Sequence, residues 1–312
     1  MITPFHAIGV DVGGTKIAAG LVRLPEGRVL ERRRILTRPD RDPEQVLDDL
    51  TSAVASLESG AQSRSIEIDG IGVGLCELVD PAGEILSHHS LHWTSSRIRE
   101  RLAARCPVFI DADVRAGGRA EACFGEGRGH RCFVYVTIGT GISSCLMLDG
   151  SPFVGARGAT GTFASSLTAP RCPACGQLSE RTLEDWASGP GLVHRASRDA
   201  GIVVERAEDL LVRADAGDLQ ALAIVHEGAE AVGRAIAWLV DTVDPELVVI
   251  GGGLGLSGGR YWSTLVTAAR RSFWSDLHRG IPIVPAATGV DAGLLGAAAL
   301  AWEHVGWMND AH

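Results

Sequence analysis

The chain has 312 residues, 46% hydrophobic and 21% charged, enough to bury one large core or two ordinary ones. A net charge of −9 argues against a nucleic-acid partner, which needs a basic face. No signal-peptide pattern opens the chain and the apolar stretch at 235–243 is interrupted by Asp241, so no membrane partner is expected, while seven scattered cysteines suit reduced thiols in a cytoplasm.

The first half alternates strand-like and helix-like patterns. Residues 7–12 and 16–22 are apolar runs flanking Gly13-Gly14-Thr15, which predicts a β-hairpin, and 28–36 reads as a third strand. Residues 43–57 carry Val46, Leu47, Leu50, Val54 and Leu57 at helical spacing. A strand over 66–75, a helix over 95–104, a short strand at 107–110 and a helix at 114–122 follow. The second half begins in the same way, with strands at 133–138 and 142–148 around Gly139-Thr140-Gly141. A Gly/Thr hairpin thus occurs twice, a weak internal repeat that suggests two related domains. Beyond an irregular stretch at 155–180, helices are expected near 183–199 and 218–242, then a strand at 246–250, a glycine turn at 251–253, a helix at 261–275 and an Ala-rich terminal helix at 291–303.

Three segments carry candidate chemistry. In Val10-Asp11-Val12-Gly13-Gly14-Thr15-Lys16, a tight turn exposes backbone N–H groups and a hydroxyl that can cradle phosphate oxygens. Asp11 at the strand end can hold Mg²⁺ directly or through water. An ordinary hairpin would look the same, but Ile138-Gly139-Thr140-Gly141 offers the second half of a polyphosphate grip. Lys16 is the only lysine among 29 basic residues, which weakly favours a role that arginine cannot fill near phosphates. In Asp111-Ala112-Asp113, one carboxylate can cap the following helix and the other can act as a general base; Asp113 is the candidate base. Gly253, Gly255 and Gly258 match G-x-G-x-x-G after a strand, a weak dinucleotide signal that would read as an NAD-dependent oxidoreductase. It lacks the expected downstream acid, and a nucleotide-contacting turn of another kind fits better.

Taken in order, these residues resemble the ROK family (repressor, open reading frame, kinase) of the sugar kinase/actin/Hsp70 superfamily. VDVGGTK and TIGTGI look like its two phosphate motifs, DADVRAGGRAE like the segment with its catalytic Asp, DPELVVIGGG like its adenosine-side motif and DAGLLGAAALA like its closing helix. The matches run from about residue 7 to 302. The resemblance implies an α/β chain with a two-domain actin-like ATPase (ribonuclease H-like) fold and a cleft between the domains. It divides the chain into a small N-terminal domain, 1–112 plus a terminal helix at about 296–312, and a larger one, 113–295. It implies ATP and Mg²⁺, with Asp11, Gly13, Gly14, Thr15, Lys16, Thr140, Gly141, Gly252 and Gly253 on the nucleotide, Asp113 as base, a small-molecule carbohydrate substrate and a homodimer. The N-terminal helix-turn-helix domain of family repressors is not expected, since the first strand begins near residue 7.

The departures from the family pattern cluster on the sugar and zinc side. The Asn before the catalytic Asp is Ala112. Glu-x-Gly-His reads Thr162-Phe163-Ala164-Ser165, a Pro-Gly pair reads Cys76-Glu77, and a sugar-contacting Asn reads Ser90, ahead of Leu91 and Trp93. In the zinc motif Cys172 and Cys175 remain, Glu184 matches the motif's Glu, and the third Cys falls near Thr182. Two ligands do not complete a tetrahedral site, and a loop without metal is as consistent with them as zinc. The substrate-side candidates are therefore Glu77, Ser90, Asp113, Thr162, Ser165 and Glu184. With Glu and His lost at 162 and 165 and a carboxylate gained at 77 to pair with an amine, the expected acceptor is an amino sugar such as kanosamine, or a cyclitol, from a secondary-metabolite pathway rather than glucose. The rival from another class is a catalytically weak pseudokinase that senses sugar or nucleotide.

Overall fold

The computed structural model describes residues 4–14, 16–36, 42–102, 106–168 and 181–310. β1 (Phe5–Val12), β2 (Lys16–Leu24) and β3 (Arg28–Leu36) form an antiparallel meander, with Val12 opposite Ile17 across the first turn. α1 (Pro43–Ser63) opens on Asp42, whose side chain accepts the Glu44 N–H at 2.9 Å, with Pro43 preset for the first helical position. It buries Val46, Leu47, Leu50, Val54 and Leu57 and runs six residues past the expected end, burying Ala61 as well. β4 (Gly70–Leu75) is shorter than the expected 66–75. Asp69 takes the His6 N–H on its carboxylate and donates its own N–H to the His6 carbonyl, both at 2.8 Å, and the parallel ladder starts only at Ala7 and Gly70. α2 (Ser95–Leu102), β5 (Val108–Ala112) and α3 (Asp113–Phe124) follow.

The second half continues with β6 (Cys132–Ile138), β7 (Ile142–Leu148), β8 (Ser151–Pro152), β9 (Leu167–Thr168), β10 (Arg181–Thr182), α4 (Leu183–Ala187) and α5 (Gly189–Ala200). The helix expected over 183–199 breaks at Ser188, where Gly189-Pro190 starts a new helix and the Ser188 hydroxyl caps Gly191 N at 3.1 Å. α6 (Ala207–Asp215), α7 (Leu219–Val243), β11 (Leu247–Gly251), α8 (Gly259–Ser272), β12 (Ile283–Pro285) and α9 (Ala292–Asp310) complete the chain; α6 and β12 were not expected. One sheet has the order β3-β2-β1-β4-β5 and the other β12-β11-β6-β7-β8. Read from β8, the second repeats the first: a hairpin and a third strand on one side, two strands parallel to the hairpin's first strand on the other. The repeated Gly/Thr hairpin is thus the visible part of a repeated topology.

The chain divides into two compact units, 1–131 with 145–160 and 287–312, and 132–144 with 161–286. The first unit includes α3, which the sequence assigned to the second domain. Close packing explains its place. A Cβ on Gly296 of α9 would stand 1.6 Å from the Ala116 carbonyl oxygen of α3, and one on Gly118 would stand 2.7 Å from the Met147 sulfur. α9 also lies on the sheet through Gly9 and Gly72, which face each other in register across β1 and β4. A Cβ there would fall 1.8 and 1.7 Å from the carbonyl oxygens of Leu294 and Ala297. These glycines form a groove that lets a helix backbone touch a sheet backbone. In the second unit α7 packs on α8, with Gly233 against the Leu265 carbonyl.

Candidate active site

In the first unit the site grows from the carboxyl ends of three parallel strands. Val12, Leu75 and Ala112 lie side by side in the ladders of β1, β4 and β5. The next residues in each strand direction are Gly13, Cys76 and Asp113, and Cys76 N donates to the Val12 carbonyl at 3.2 Å. Parallel-sheet physics therefore sets the first phosphate-hairpin glycine, a thiol and the candidate base in one row, at the end of the sheet where α/β proteins bind ligands.

The two aspartates after β5 have different environments. Asp111 is buried and accepts from Arg115 Nε and, at 2.5 Å, from Arg119; Arg119 Nε also bonds Glu303 at 2.9 Å. Arg115 is held in turn by the Val79 carbonyl at 2.6 Å. Asp111 is thus an anchor between β5, α3 and α9, not a helix cap. Among the described residues Asp113 makes one hydrogen bond, accepting the Val114 N–H at 2.6 Å. Burial, then the nearby Asp11 charge, push its carboxyl up to about 7, against the pull of that N–H. A carboxylate with a proton affinity near neutrality is suited to accepting a proton from a hydroxyl.

Asp11 on β1 is raised to about 6 by burial, with Lys16 opposing. Gly293, at the start of α9, has no room for a Cβ, which would stand 2.3 Å from the Asp11 carboxyl carbon. The Asp11 carboxylate is therefore pressed against a helix N-terminus, a contact the sequence motifs did not bring out. At the hairpin Gly13 N donates to the Lys16 carbonyl at 3.0 Å, and the space where a Gly14 Cβ would stand is open. Gly14 is half-buried and Lys16 exposed, while Thr15 lies outside the described residues. An open glycine turn beside a carboxylate and a lysine fits a magnesium-bearing polyphosphate.

The second unit brings the other hairpin and the late glycine turn together. Ile138 O accepts from Leu254 N and Gly255 N, both at 3.0 Å, and a Cβ on Gly139 would stand 3.6 Å from Gly253 N. Gly252 has φ +81°, and a side chain there would strike the Ile138 carbonyl at 2.3 Å, so only glycine fits. Thr140 stands exposed at the hairpin tip. The amides of Leu254 and Gly255 are spent on Ile138 and α8 starts only at Gly259, so 253–258 does not form the strand-turn-helix cradle of a dinucleotide fingerprint.

One sequence expectation is corrected here. Glu77 does not offer its carboxylate to a substrate amine. It is buried to 4% exposure, and its oxygens accept from Ser87 Oγ (2.5 Å), His89 N (3.0 Å), Ser90 N (2.6 Å) and Leu91 N (2.8 Å). Four donors occupy the four lone-pair positions of a carboxylate. Burial works against its charge, yet these bonds hold its pKa below the usual range. Glu184 commits one oxygen within its own unit: its Oε2 accepts Ile142 N at 2.8 Å and lies 2.8 Å from where a Gly141 Cβ would be, bracing the second hairpin. Sequence cannot tell a carboxylate aimed at a ligand from one aimed at a loop's N–H groups.

Ser90 is exposed; its side chain favours the Cys76 thiolate, but burial and then the Asp113 charge push that thiol up to about 12. Thr162 and Ser165 are exposed on a short 3₁₀ turn, with Ser165 N donating to the Thr162 carbonyl at 3.0 Å. Cys172 and Cys175 lie outside the described residues. Thr182, at the third cysteine's position, caps α4 in a reciprocal pair with Asp185. No cluster of three or more metal-ligating side chains occurs among the described residues. No helix among them is long and apolar enough to cross a membrane.

The ROK family model matches residues 7–304. The chain belongs to the ROK family. It is 31% identical over 316 residues to a glucokinase of Streptomyces coelicolor, covering 95% of this chain and 97% of that one. It is 30% identical over 299 residues to an N-acetylmannosamine kinase of Escherichia coli, covering 94% and 97%. Among solved structures it is similar to a ROK glucokinase of Streptomyces griseus in complex with glucose and AMPPNP, with a TM-score of 0.80, 27% identity and coverage of 96% and 99%. A ROK hexokinase of Thermus thermophilus gives a TM-score of 0.77 at 31% identity, covering 97% and 99%. The ROK chain described here accordingly has the actin-like ATPase fold of these kinases.

Proposed function

We propose that this ROK protein transfers the γ-phosphate of ATP to a hydroxyl of an amino sugar or cyclitol, with Asp113 as the base. The protein is an ATP-dependent carbohydrate kinase. The observation that carries the base assignment is the division of labour after β5: two arginines occupy Asp111, whereas Asp113 keeps one N–H partner and a pKa of about 7. Asp113 accepts the hydroxyl proton as the oxygen attacks the γ-phosphorus, the bond from that phosphorus to the bridging oxygen breaks, and ADP leaves with the electron pair. Gly13, Gly14, Thr15 and Lys16 from the first unit, and Thr140, Gly141, Gly252 and Gly253 from the second, are the proposed nucleotide contacts. Asp11 would hold Mg²⁺, directly or through water, and the ion would neutralise phosphate charge.

The preference for an amino sugar or cyclitol over glucose rests on Thr162 and Ser165, short hydroxyls where the family pattern has Glu and His, and on relatives that include N-acetylmannosamine kinases. Glu77 no longer supports it, so an amino or acetamido group would be met by Ser90, Thr162 or Ser165. The pseudokinase reading finds no support, since the base and both hairpins are retained. Coupled ADP release with glucose, N-acetylmannosamine, glucosamine, kanosamine and myo-inositol tests the proposal. Turnover of glucose with none of the others accepted would refute the substrate class.

A further inference from the structure

The Glu77 carboxylate is more fully satisfied than any other acid near the row Gly13, Cys76 and Asp113, and everything it binds belongs to one loop. Oε2 takes the Ser87 hydroxyl and His89 N, and Oε1 takes Ser90 N and Leu91 N. Ser87 Oγ also accepts Leu78 N at 2.8 Å, closing the loop back on the chain that carries Glu77. Beyond the loop, buried Leu91 and Trp93 anchor it in the core, and Trp93 Nε1 donates to the Pro43 carbonyl at 3.0 Å. Just before these anchors Ser90 remains exposed, its side chain near enough to favour the thiolate of Cys76, the residue beside Asp113 in the row. A buried carboxylate is costly unless fully hydrogen-bonded, and here all of its bonding orders the segment that reaches toward the base.

We propose that Glu77 is a positioning residue for the acceptor: its carboxylate clamps loop 87–91 and so sets Ser90 beside Cys76 and Asp113, where the acceptor's hydroxyl or amino groups are read. This rests on the kinase reading and deepens it. A polar acceptor held by a fixed loop loses little conformational entropy on binding, so the clamp acts on sugar affinity and orientation and leaves the nucleotide side alone. Glu77 also acts on the base through space. Asp113 feels, besides burial and the Val114 N–H, the charges of Asp11 on β1, Glu77 after β4 and Arg115 on α3. Asp11 and, more weakly, Glu77 add negative charge, so neutralising Glu77 lowers the proton affinity of Asp113.

The test compares wild type with Glu77→Gln, Glu77→Asp and Ser90→Ala in coupled ADP release, using the best acceptor of the five-compound screen. Glutamine sets an NH₂ group against backbone N–H donors and opens the loop. Expected is a rise of about tenfold or more in the KM for the acceptor, with the KM for ATP within about twofold of wild type. The acidic limb of kcat/KM moves to lower pH in Glu77→Gln. Glu77→Asp, which keeps the charge, recovers part of the acceptor KM and keeps the limb in place, and Ser90→Ala raises the acceptor KM without moving the limb. An unchanged acceptor KM in Glu77→Gln, or parallel rises in both KM values in Glu77→Asp as well, overturns the clamp while leaving the kinase reading intact. A wild type that phosphorylates none of the five compounds refutes the kinase reading and the clamp with it.

Discussion

Asp113→Asn is expected to stabilise the protein above neutral pH. The carboxyl titrates at 3.8 in the unfolded chain and at about 7 in the fold, chiefly because burial disfavours the charge. A raised acid pKa means that the folded state binds the proton more readily. Stability from this group is therefore greatest below pH 4, declines as pH rises from 4 to 7, and is lowest above 7. Three units at about 1.4 kcal/mol each set an upper bound of about 4 kcal/mol, and water reaching the half-buried carboxylate reduces it to about 2 kcal/mol. Asparagine keeps an oxygen for the Val114 N–H and removes the charge. Thermal unfolding at pH 8 should give the variant a midpoint higher by about 4 °C or more, and the difference should vanish near pH 4. A variant equal to or less stable than wild type at pH 8 would refute the assignment of Asp113 as a charge held at a cost to the fold.

Other consequences follow from the same geometry. Below pH 7 kcat/KM should fall about tenfold per unit as Asp113 takes up its proton, and Asp11→Asn should move that limb downward by removing the neighbouring charge; a rate flat to pH 5 would contradict this. Glu184→Ala leaves the Ile142 N–H without its acceptor at the second hairpin, at a cost of about 1–3 kcal/mol. It should raise the KM for ATP about tenfold with the sugar KM little changed, and the reverse pattern would place Glu184 on the sugar. Gly72→Ala forces a methyl to within 1.7 Å of the Ala297 oxygen and should cost about 3 kcal/mol or more in urea unfolding; near-wild-type stability would refute the glycine groove under α9.

Much of the fold was legible because its signals are local. The hairpins at 13–15 and 139–141 are punctuated by glycine between apolar runs, and α1 announces itself by a regular apolar face. What escaped depends on partners distant in sequence. β12 is three residues long and ends on Pro285, and it exists because it pairs with β11. Residues 66–69 look like strand, but Asp69 ties them to His6 outside the ladder. At the site, Asp113 was distinguishable from Asp111 only by motif, and the arginines at 115 and 119 supply the physical difference. Glu77 and Glu184 were noticed as departures or matches in a motif, but which N–H groups their oxygens meet is a tertiary fact. The row of Gly13, Cys76 and Asp113 likewise needs the register of β1, β4 and β5.

The most direct test is the transfer reaction itself in wild type and Asp113→Asn, measured as the acceptor-dependent rate of ADP release. Wild type is predicted to transfer phosphate from ATP to a sugar or cyclitol, and the variant to lose about 10²–10⁴-fold in kcat with the KM for ATP unchanged. A variant that transfers at the wild-type rate would contradict the account.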